Sequence, residues 1–158
     1  MWEHWDGIKP DGSLWSKDMN SFNHYAYGAI GDWMYQTIAG IQLVEQQPGY
    51  KQFRIAPTLT SQLSWAEGKL STLYGDIRSY WEQDNQQFTA IELTVPVNTT
   101  AELIMPHQHI ELSRFSRLNR AAEGADLTEL GVLGYTSQDQ LHIWKLGSGT
   151  YRFQVNES

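Results

Sequence analysis

The alternation of apolar and polar residues along residues 52–155 constrains the fold of this chain more than any other feature of its sequence. In the last of these runs, Tyr151, Phe153 and Val155 alternate with two polar residues. A period of two puts one side of a run in a core and the other side in water, as in antiparallel strands. The predicted strands are Gln52–Ile55, Leu63–Glu67, Asp76–Gln83, Phe88–Val95, Ala101–Met105, Gly131–Tyr135, Gln140–Lys145 and Thr150–Val155.

Turn residues separate these runs and limit how the strands can be arranged. The pair Asp84-Asn85 is typical of a tight turn between two strands. Pro96 and Pro106 each close a strand, because proline lacks the N–H that a ladder needs. The polar, poorly periodic segment Ser113–Glu129 indicates a long connection. Short strands joined by tight turns predict a mainly β fold, namely an antiparallel β-sandwich.

A period close to 3.6 governs the residues before this region. Apolar and small side chains recur at helical spacing from Phe22 to Ile38, which predicts a loop followed by one long α-helix. Ser21 is a candidate cap for the start of the helix, and Gly40 is a candidate left-handed stop at its end. We expect the apolar stripe of this helix to pack against the sandwich, since each large side chain buried is worth roughly 1.5–3 kcal/mol.

Glycine and proline positions add two expectations. Gly28 and Gly31 lie inside the predicted helix, where each costs roughly 1 kcal/mol relative to alanine, so we expect a close approach by another backbone or a ligand. The period changes at Pro48-Gly49, which marks the likeliest domain boundary. The predicted domains are residues 1–46 and residues 47–158.

The composition of the chain excludes several classes of partner. The net charge is −7, and the 11 Lys and Arg residues are scattered, whereas a nucleic-acid surface needs them clustered. No apolar run approaches the roughly 20 residues of a membrane span. We therefore expect neither nucleic acid nor a membrane as a partner. Because the chain has no cysteine, it has no thiol nucleophile and no thiolate metal site.

The first residues carry the chemistry that a polyhydroxylated ligand needs. Glu3 stands between Trp2 and Trp5, Asp6 follows, and His24 lies at the predicted start of the helix. Sugar rings offer hydroxyls to bond and C–H faces to stack, so carboxylates, imidazoles and aromatic rings collect around them. On residue chemistry alone, the alternatives are an ordinary solvated acid at Glu3 and a packing or capping histidine at His24.

Other short patterns carry less weight. His107 and His109 flank Gln108, but without a third ligand at a suitable spacing we interpret them as exposed turn histidines and expect no metal. Asn98-Thr99-Thr100 matches a glycosylation acceptor, a pattern that is frequent by chance. The sequence contains no phosphate loop, nucleotide fingerprint or nucleophile elbow, so we expect no cofactor.

Four motifs occur in order over about residues 1–57: WEHWDG, PDGS, MNSFNHYAYGAIGDWMYQTIAGI and PGYKQFRIAP. Together they resemble the C-terminal portion of the bacterial α-L-rhamnosidases, glycoside hydrolase family 78. The remainder of the chain resembles the C-terminal β-sandwich of that family more loosely. The resemblance implies that the loop and the helix are the last loop and last helix of the family's catalytic (α/α)₆ barrel.

The resemblance also implies roles for three residues. Glu3 matches the glutamate of the family's W-E-x-W-D motif, taken to be the general base that activates water for inverting hydrolysis. His24 matches a histidine that lines the rhamnose pocket, and Trp5 is implied to contact the substrate. In the family the general acid lies far upstream, in a segment that this chain does not contain. We therefore expect a rhamnosylated glycoside or oligosaccharide as the substrate of the parent protein, and no activity from this chain alone.

Two functions stay open at this point. In the first, the chain is the C-terminal piece of an α-L-rhamnosidase, and the exposed helix face that once met its barrel neighbours drives self-association. In the second, the sandwich is a non-catalytic carbohydrate-binding or structural module that would use Trp65, Trp81 or Trp144. Because sandwich strands normally bury their tryptophans, we expect these residues in the core and no sugar binding by the sandwich.

Overall fold

A computed structural model describes residues 2–18, 21–106, 110–114, 128 and 130–155 of this chain. The chain splits into two compact units, Met1–Met34 and Tyr35–Ser158. Most of the predicted connection Ser113–Glu129 lies outside the described residues. The division into domains after residue 46 stays a prediction, because a compact unit and a domain are defined by different criteria.

The predicted long helix is a helical segment of mixed geometry. A 3₁₀ turn, Tyr25–Gly28, leads into the α-helix α1, Ala29–Trp33, and a π-helical turn, Met34–Ile38, follows. The prediction of one long α-helix is wrong in this respect, since α1 has 5 residues. The N-cap position belongs to His24 and not to Ser21. Within the part of the chain that the structure describes, no helix is long and apolar enough to cross a membrane.

Local interactions explain the late start of the helical segment. The backbone carbonyl of Ser21, which would accept the first helical hydrogen bond, accepts the N–H of Glu3 instead, at 2.7 Å. Gly28 and Gly31 then weaken a regular helix, because glycine has a low helix propensity. The close approach expected at these two glycines is not observed: among the described residues, nothing other than the chain neighbours and the helix's own backbone lies within 4 Å of a Cβ built on either one.

The apolar stripe of the helical segment is exposed over most of its length. Tyr25 is 88% exposed, Ile30 53% and Trp33 50%, so the expected burial of the stripe is not observed at these positions. Only the end of the segment joins the core of the second unit, where Ala39 is buried and Ile38 packs beside it. The chain then turns at Gly40 with a φ of +75°, the left-handed stop that the sequence predicts.

In the described residues, ten strands form two five-stranded sheets. The first sheet has the order β1-β2-β6-β9-β8, and the second has the order β3-β4-β5-β10-β7. Their bounds are β1 Ile41–Leu43, β2 Gln52–Ile55, β3 Trp65–Thr72, β4 Gly75–Asp84, β5 Gln87–Val95, β6 Thr100–Pro106, β7 Ile110–Arg114, β8 Val132–Gln138, β9 Leu141–Leu146 and β10 Gly149–Val155. The paired strands are antiparallel, with β2 and β6 as the parallel exception.

The prediction of a mainly β chain with an antiparallel sandwich is confirmed, and each of the eight predicted strands is present. Two further strands escaped prediction. Strand β1 has 3 residues, too few to display a period. Strand β7 ends inside the polar segment that we interpreted as a connection, so that interpretation is wrong for Ser113 and Arg114.

One hydrophobic core lies between the two sheets. Phe53 and Leu103 from the first sheet and Ile77 and Leu93 from the second are at most 1% exposed. All four belong to a single cluster of contacting side chains. Aromatic side chains add edge-to-face contacts to this packing. The ring centroids of Trp144 and Phe153 lie 5.7 Å apart, with an angle of 61° between the ring planes. The sandwich is thus stabilised by burial of the inward rows of both sheets.

The three tryptophans expected in the core divide into two groups. Trp81 is fully buried and Trp144 is 8% exposed, as predicted. Trp65 is 56% exposed, so the prediction is wrong for this residue. The alternation along β3 explains the difference, because Trp65 lies on the outward row with Glu67 and Lys69.

Candidate active site

Glu3 is held in place by two hydrogen bonds to one residue. Its backbone N–H donates to the Ser21 carbonyl at 2.7 Å, and the Ser21 N–H donates to the Glu3 carboxylate at 3.3 Å. The Glu3 residue is half-buried. These bonds bring the first motif against the segment that leads into the helical turns, so Glu3 lies beside a residue only three positions before His24.

A small hairpin connects these two segments. Its turn closes with the Gly12 N–H donating to the Lys9 carbonyl at 2.9 Å, which places Pro10 and Asp11 at the two central positions as their turn preferences favour. The Ser13 hydroxyl and backbone N–H donate to the Asp11 carboxylate and hold the pKa of that carboxyl below its usual range. The hairpin thus separates the first motif from Ser21 along the chain. Polar groups of its turn are hydrogen-bonded within the hairpin itself.

Aromatic rings of the first unit pair with one another. Trp2 meets Phe22 edge to face, with 4.9 Å between ring centroids. His4 stacks on Trp15 at 5.0 Å, and its Nε2 is buried with no hydrogen-bond partner in the described part of the chain. Sequence reasoning overlooked His4, although its position directly between Glu3 and Trp5 was a signal for it.

The other residues predicted for the site differ in exposure. Trp5 is 90% exposed and Asp6 is also exposed, so the Trp5 indole presents its faces to solvent. His24 is half-buried and stacks on Tyr25, with 5.7 Å between centroids and 5° between planes. The His24 side chain makes no capping hydrogen bond to the helical turn, which removes the capping interpretation.

The chemistry available in the first unit suits a sugar. A half-buried carboxylate can accept a proton from water, an imidazole can exchange hydrogen bonds with hydroxyls, and an open indole can stack on C–H faces. The same chemistry is less suited to binding a metal ion. Among the described residues, no group of three His, Cys, Asp or Glu side chains is placed to hold an ion. His107 and His109 lie outside those residues.

A cavity in the second unit does not serve as an alternative site. It has a volume of about 60 Å³ and lies beside the parallel pair β2 and β6, where Arg54 and Glu102 form an ion pair at 3.0 Å. Pockets for small molecules are usually about 300–1,000 Å³. The cavity is therefore too small for a sugar ring.

Comparison with known protein families separates the chain into two parts. Residues 1–38 match the model of the bacterial alpha-L-rhamnosidase 6 hairpin glycosidase domain. Residues 40–116 match the model of the bacterial alpha-L-rhamnosidase C-terminal domain. Glu3, Trp5 and His24 all fall in the first of these matches.

Individual relatives agree with this division. An alpha-L-rhamnosidase of Formosa agariphila is 43% identical over 159 residues, covering 100% of this chain and 16% of the relative. An alpha-L-rhamnosidase of Streptomyces avermitilis is 36% identical over 155 residues, covering 98% of this chain and 13% of the relative. The chain thus spans about a seventh of the length of these relatives.

A solved structure adds a match in three dimensions. The crystal structure of a Streptomyces avermitilis alpha-L-rhamnosidase complexed with L-rhamnose superposes with a TM-score of 0.68 at 34% sequence identity, covering 99% of this chain and 14% of that one. The two family models cover residues 1–38 and 40–116, and the relatives and the solved structure cover nearly the whole chain. The chain therefore belongs to the bacterial α-L-rhamnosidase family, in which it corresponds to the end of the six-hairpin glycosidase domain and the C-terminal β-sandwich.

Proposed function

We propose that the longer protein to which this chain corresponds is an α-L-rhamnosidase, a glycoside hydrolase that removes terminal α-L-rhamnose from glycosides. The observation that carries this proposal is the match of the whole chain to proteins named alpha-L-rhamnosidase, at up to 43% identity. The related structure with bound L-rhamnose supports the substrate class.

Glu3 is the general base in this proposal. Its carboxylate takes a proton from a water molecule while the water oxygen attacks the anomeric carbon of rhamnose. The bond from that carbon to the glycosidic oxygen breaks, and a second carboxyl group protonates the leaving oxygen. In an inverting enzyme the two carboxyl groups stand about 6.5–9.5 Å apart, which leaves room for the water. The hydrogen bonds to Ser21 support this role, because a base must be held in a fixed direction.

His24 and Trp5 bind the sugar in this proposal. The half-buried imidazole of His24 lies shortly after Ser21 in sequence, on the segment that also contacts Glu3, and offers hydrogen bonds to rhamnose hydroxyls. The indole of Trp5 is 90% exposed and is available to stack on a C–H face of the substrate. Neither residue transfers a proton to the reacting atoms.

The general acid is the missing partner of Glu3 in this chain. The family resemblance implies that it lies upstream of the matched segment, together with most of the sugar contacts. General-acid assistance typically contributes about 10²–10⁴-fold to the rate, and positioning contributes further. We therefore propose that this chain carries the base side of the site and does not hydrolyse rhamnosides by itself.

Glu3→Gln in the full-length protein tests the assignment. The amide cannot accept a proton, so kcat for an aryl α-L-rhamnoside should fall by about 10²–10⁴-fold with little change in thermal unfolding. Glu45→Gln changes an exposed glutamate in a turn of the second unit and serves as the matched control with wild-type kcat. Proton NMR of the first product should show the inverted anomer. Wild-type kcat in the Glu3→Gln protein, or a product with retained configuration, contradicts the proposal.

A further inference from the structure

The outward face of the second sheet carries an aromatic pair that the proposed catalysis does not use. Trp65 on β3 and Tyr80 on β4 have ring centroids 6.2 Å apart, at an interplanar angle of 36°. Trp65 is 56% exposed and Tyr80 is half-buried. Both residues lie in the second unit, far along the chain from Glu3. An open indole beside a phenol ring is a surface on which flat, C–H-rich molecules can stack.

Charged side chains surround this pair in a fixed arrangement. Arg78 Nε donates to Glu67 at 2.6 Å, and Arg78 Nη1 donates to Glu92 at 2.9 Å. The guanidinium carbon of Arg78 lies 5.4 Å from the centre of the Tyr80 ring. Arg152 adds an ion pair to Glu92 at 3.6 Å. The network orders donors and acceptors around the rings before any ligand arrives, which lowers the entropy cost of binding.

The register places Glu67, Tyr80, Glu92 and Arg152 in one row across the sheet, with Trp65 and Arg78 in the rows on either side of it. Tyr80 is paired with Glu67 on one side and Glu92 on the other, and Arg152 follows on β10. Four strands at their usual spacing make this row about 14 Å wide. The hydroxyl of Tyr80 donates to Glu82, and this bond raises the pKa of Tyr80 above its usual range. The row therefore offers polar groups at intervals along a flat strip.

The balance of charge decides which class of ligand fits. The acids Glu67 and Glu92 are paired with Arg78 and Arg152, and Glu82 beside Tyr80 adds one more carboxylate, so the strip presents hydrogen-bonding groups without an excess of positive charge. A polyanion would meet carboxylates. A stable protein interface would need a larger apolar centre than one indole. A neutral, hydroxyl-rich chain meets both the ring faces and the ordered polar groups.

We propose that the Trp65–Tyr80 face, made of Trp65, Glu67, Arg78, Tyr80 and Glu92, binds a neutral carbohydrate chain. The ligand stacks one sugar ring on Trp65, and its hydroxyls exchange hydrogen bonds with the carboxylates and the guanidinium. This second sugar site lies on the β-sandwich and keeps a polysaccharide attached to the protein. It does not depend on the catalytic role proposed for Glu3.

Affinity electrophoresis of the 158-residue chain tests this site. The chain should be retarded in native gels that contain a neutral polysaccharide, with arabinogalactan, galactomannan and xyloglucan as the three probes. It should not be retarded by polygalacturonate, which is a polyanion. Trp65→Ala and Tyr80→Ala should each weaken binding by at least about tenfold, because truncating a central aromatic contact usually costs that much. Trp65→Phe should keep part of the affinity.

Two control variants distinguish binding at this face from binding elsewhere on the chain. Leu73→Ala removes a side chain that is 98% exposed in the turn between β3 and β4, and it should bind like the wild type. Glu3→Gln should also bind like the wild type, whatever its effect on catalysis. Absence of retardation in all three neutral polysaccharides overturns the proposal, as does full binding by Trp65→Ala. Sedimentation that shows a wild-type dimer lost in Trp65→Ala makes this face a contact between copies and overturns it too.

Discussion

Gly40 ends the helical segment in a left-handed backbone conformation, with a φ of +75°. Its left-handed conformation follows from local rules, since a helix often ends in a glycine with positive φ. The reason that no other residue fits is not local. A Cβ on Gly40 would lie 2.3 Å from the backbone nitrogen of Pro57, a contact made only when the chain has folded.

Gly40→Ala should destabilise the second unit by about 2–5 kcal/mol, because the methyl group adds backbone strain and a collision with Pro57. Thermal or urea unfolding of the purified chain measures the loss. Gly49→Ala is the matched control, since Gly49 also has a positive φ of 89° but open space around it. If both variants lose the same stability, the contact with Pro57 contributes nothing.

The residues of the candidate site also divide into those that a local sequence motif reveals and those that only the fold brings together. The tryptophans and the acid of the first motif stand together in sequence, so Glu3 and Trp5 were accessible to motif reasoning. The pairing of Glu3 with Ser21 spans eighteen positions and depends on the hairpin between them. Exposure of Trp65 could have been inferred from its row on β3, where its neighbours at two-residue spacing are charged.

At the scale of elements, strands were easier to predict than helices. Each predicted strand exists, because alternation directly records which side of a strand is buried. The helical segment had a clear period but a different structure, since two glycines and the occupied carbonyl of Ser21 act against a regular helix. The parallel pairing of β2 with β6 joins distant parts of the chain, and no local pattern encodes it.

Strand β4 holds the end of the helical segment through two side chains. The Ser79 hydroxyl donates to the Ala39 carbonyl at 2.7 Å, and Trp81 Nε1 donates to the Ile38 carbonyl at the same distance. Both side chains are fully buried; the bond from Ser79 is shielded from water, and the bond from Trp81 is partly shielded. They fix where the segment ends relative to the sheet.

Ser79→Ala should lower the free energy of unfolding by about 1–3 kcal/mol, because it leaves a buried carbonyl without its donor. Urea unfolding followed by tryptophan fluorescence gives the change from the midpoint at constant slope. Ser137→Ala, at an exposed position of β8, should change stability by no more than about 0.5 kcal/mol. Equal midpoints for the wild type and Ser79→Ala would show that this bond does not stabilise the junction.

At the scale of the whole molecule, exposed apolar side chains in the first unit predict self-association. Ile30 and Trp33 are each at least half exposed, and exposed apolar side chains that lie together favour association between molecules. Light scattering should report dimers or larger species that decrease in the double variant Ile30→Ser, Trp33→Ser. The control Leu73→Ser removes one exposed apolar side chain of the second unit and should leave the association unchanged. A monomer at high protein concentration would refute this prediction.

The central claim is that this chain supplies the base-bearing part of a rhamnosidase site and needs the rest of the six-hairpin domain for turnover. The most direct measurement compares rhamnose release from an aryl α-L-rhamnoside by the 158-residue chain and by the full-length protein at equal concentration. The claim predicts release by the full-length protein and none above background by the chain. Robust turnover by the chain alone, unchanged by Glu3→Gln, would contradict both the division of the site and the role of Glu3.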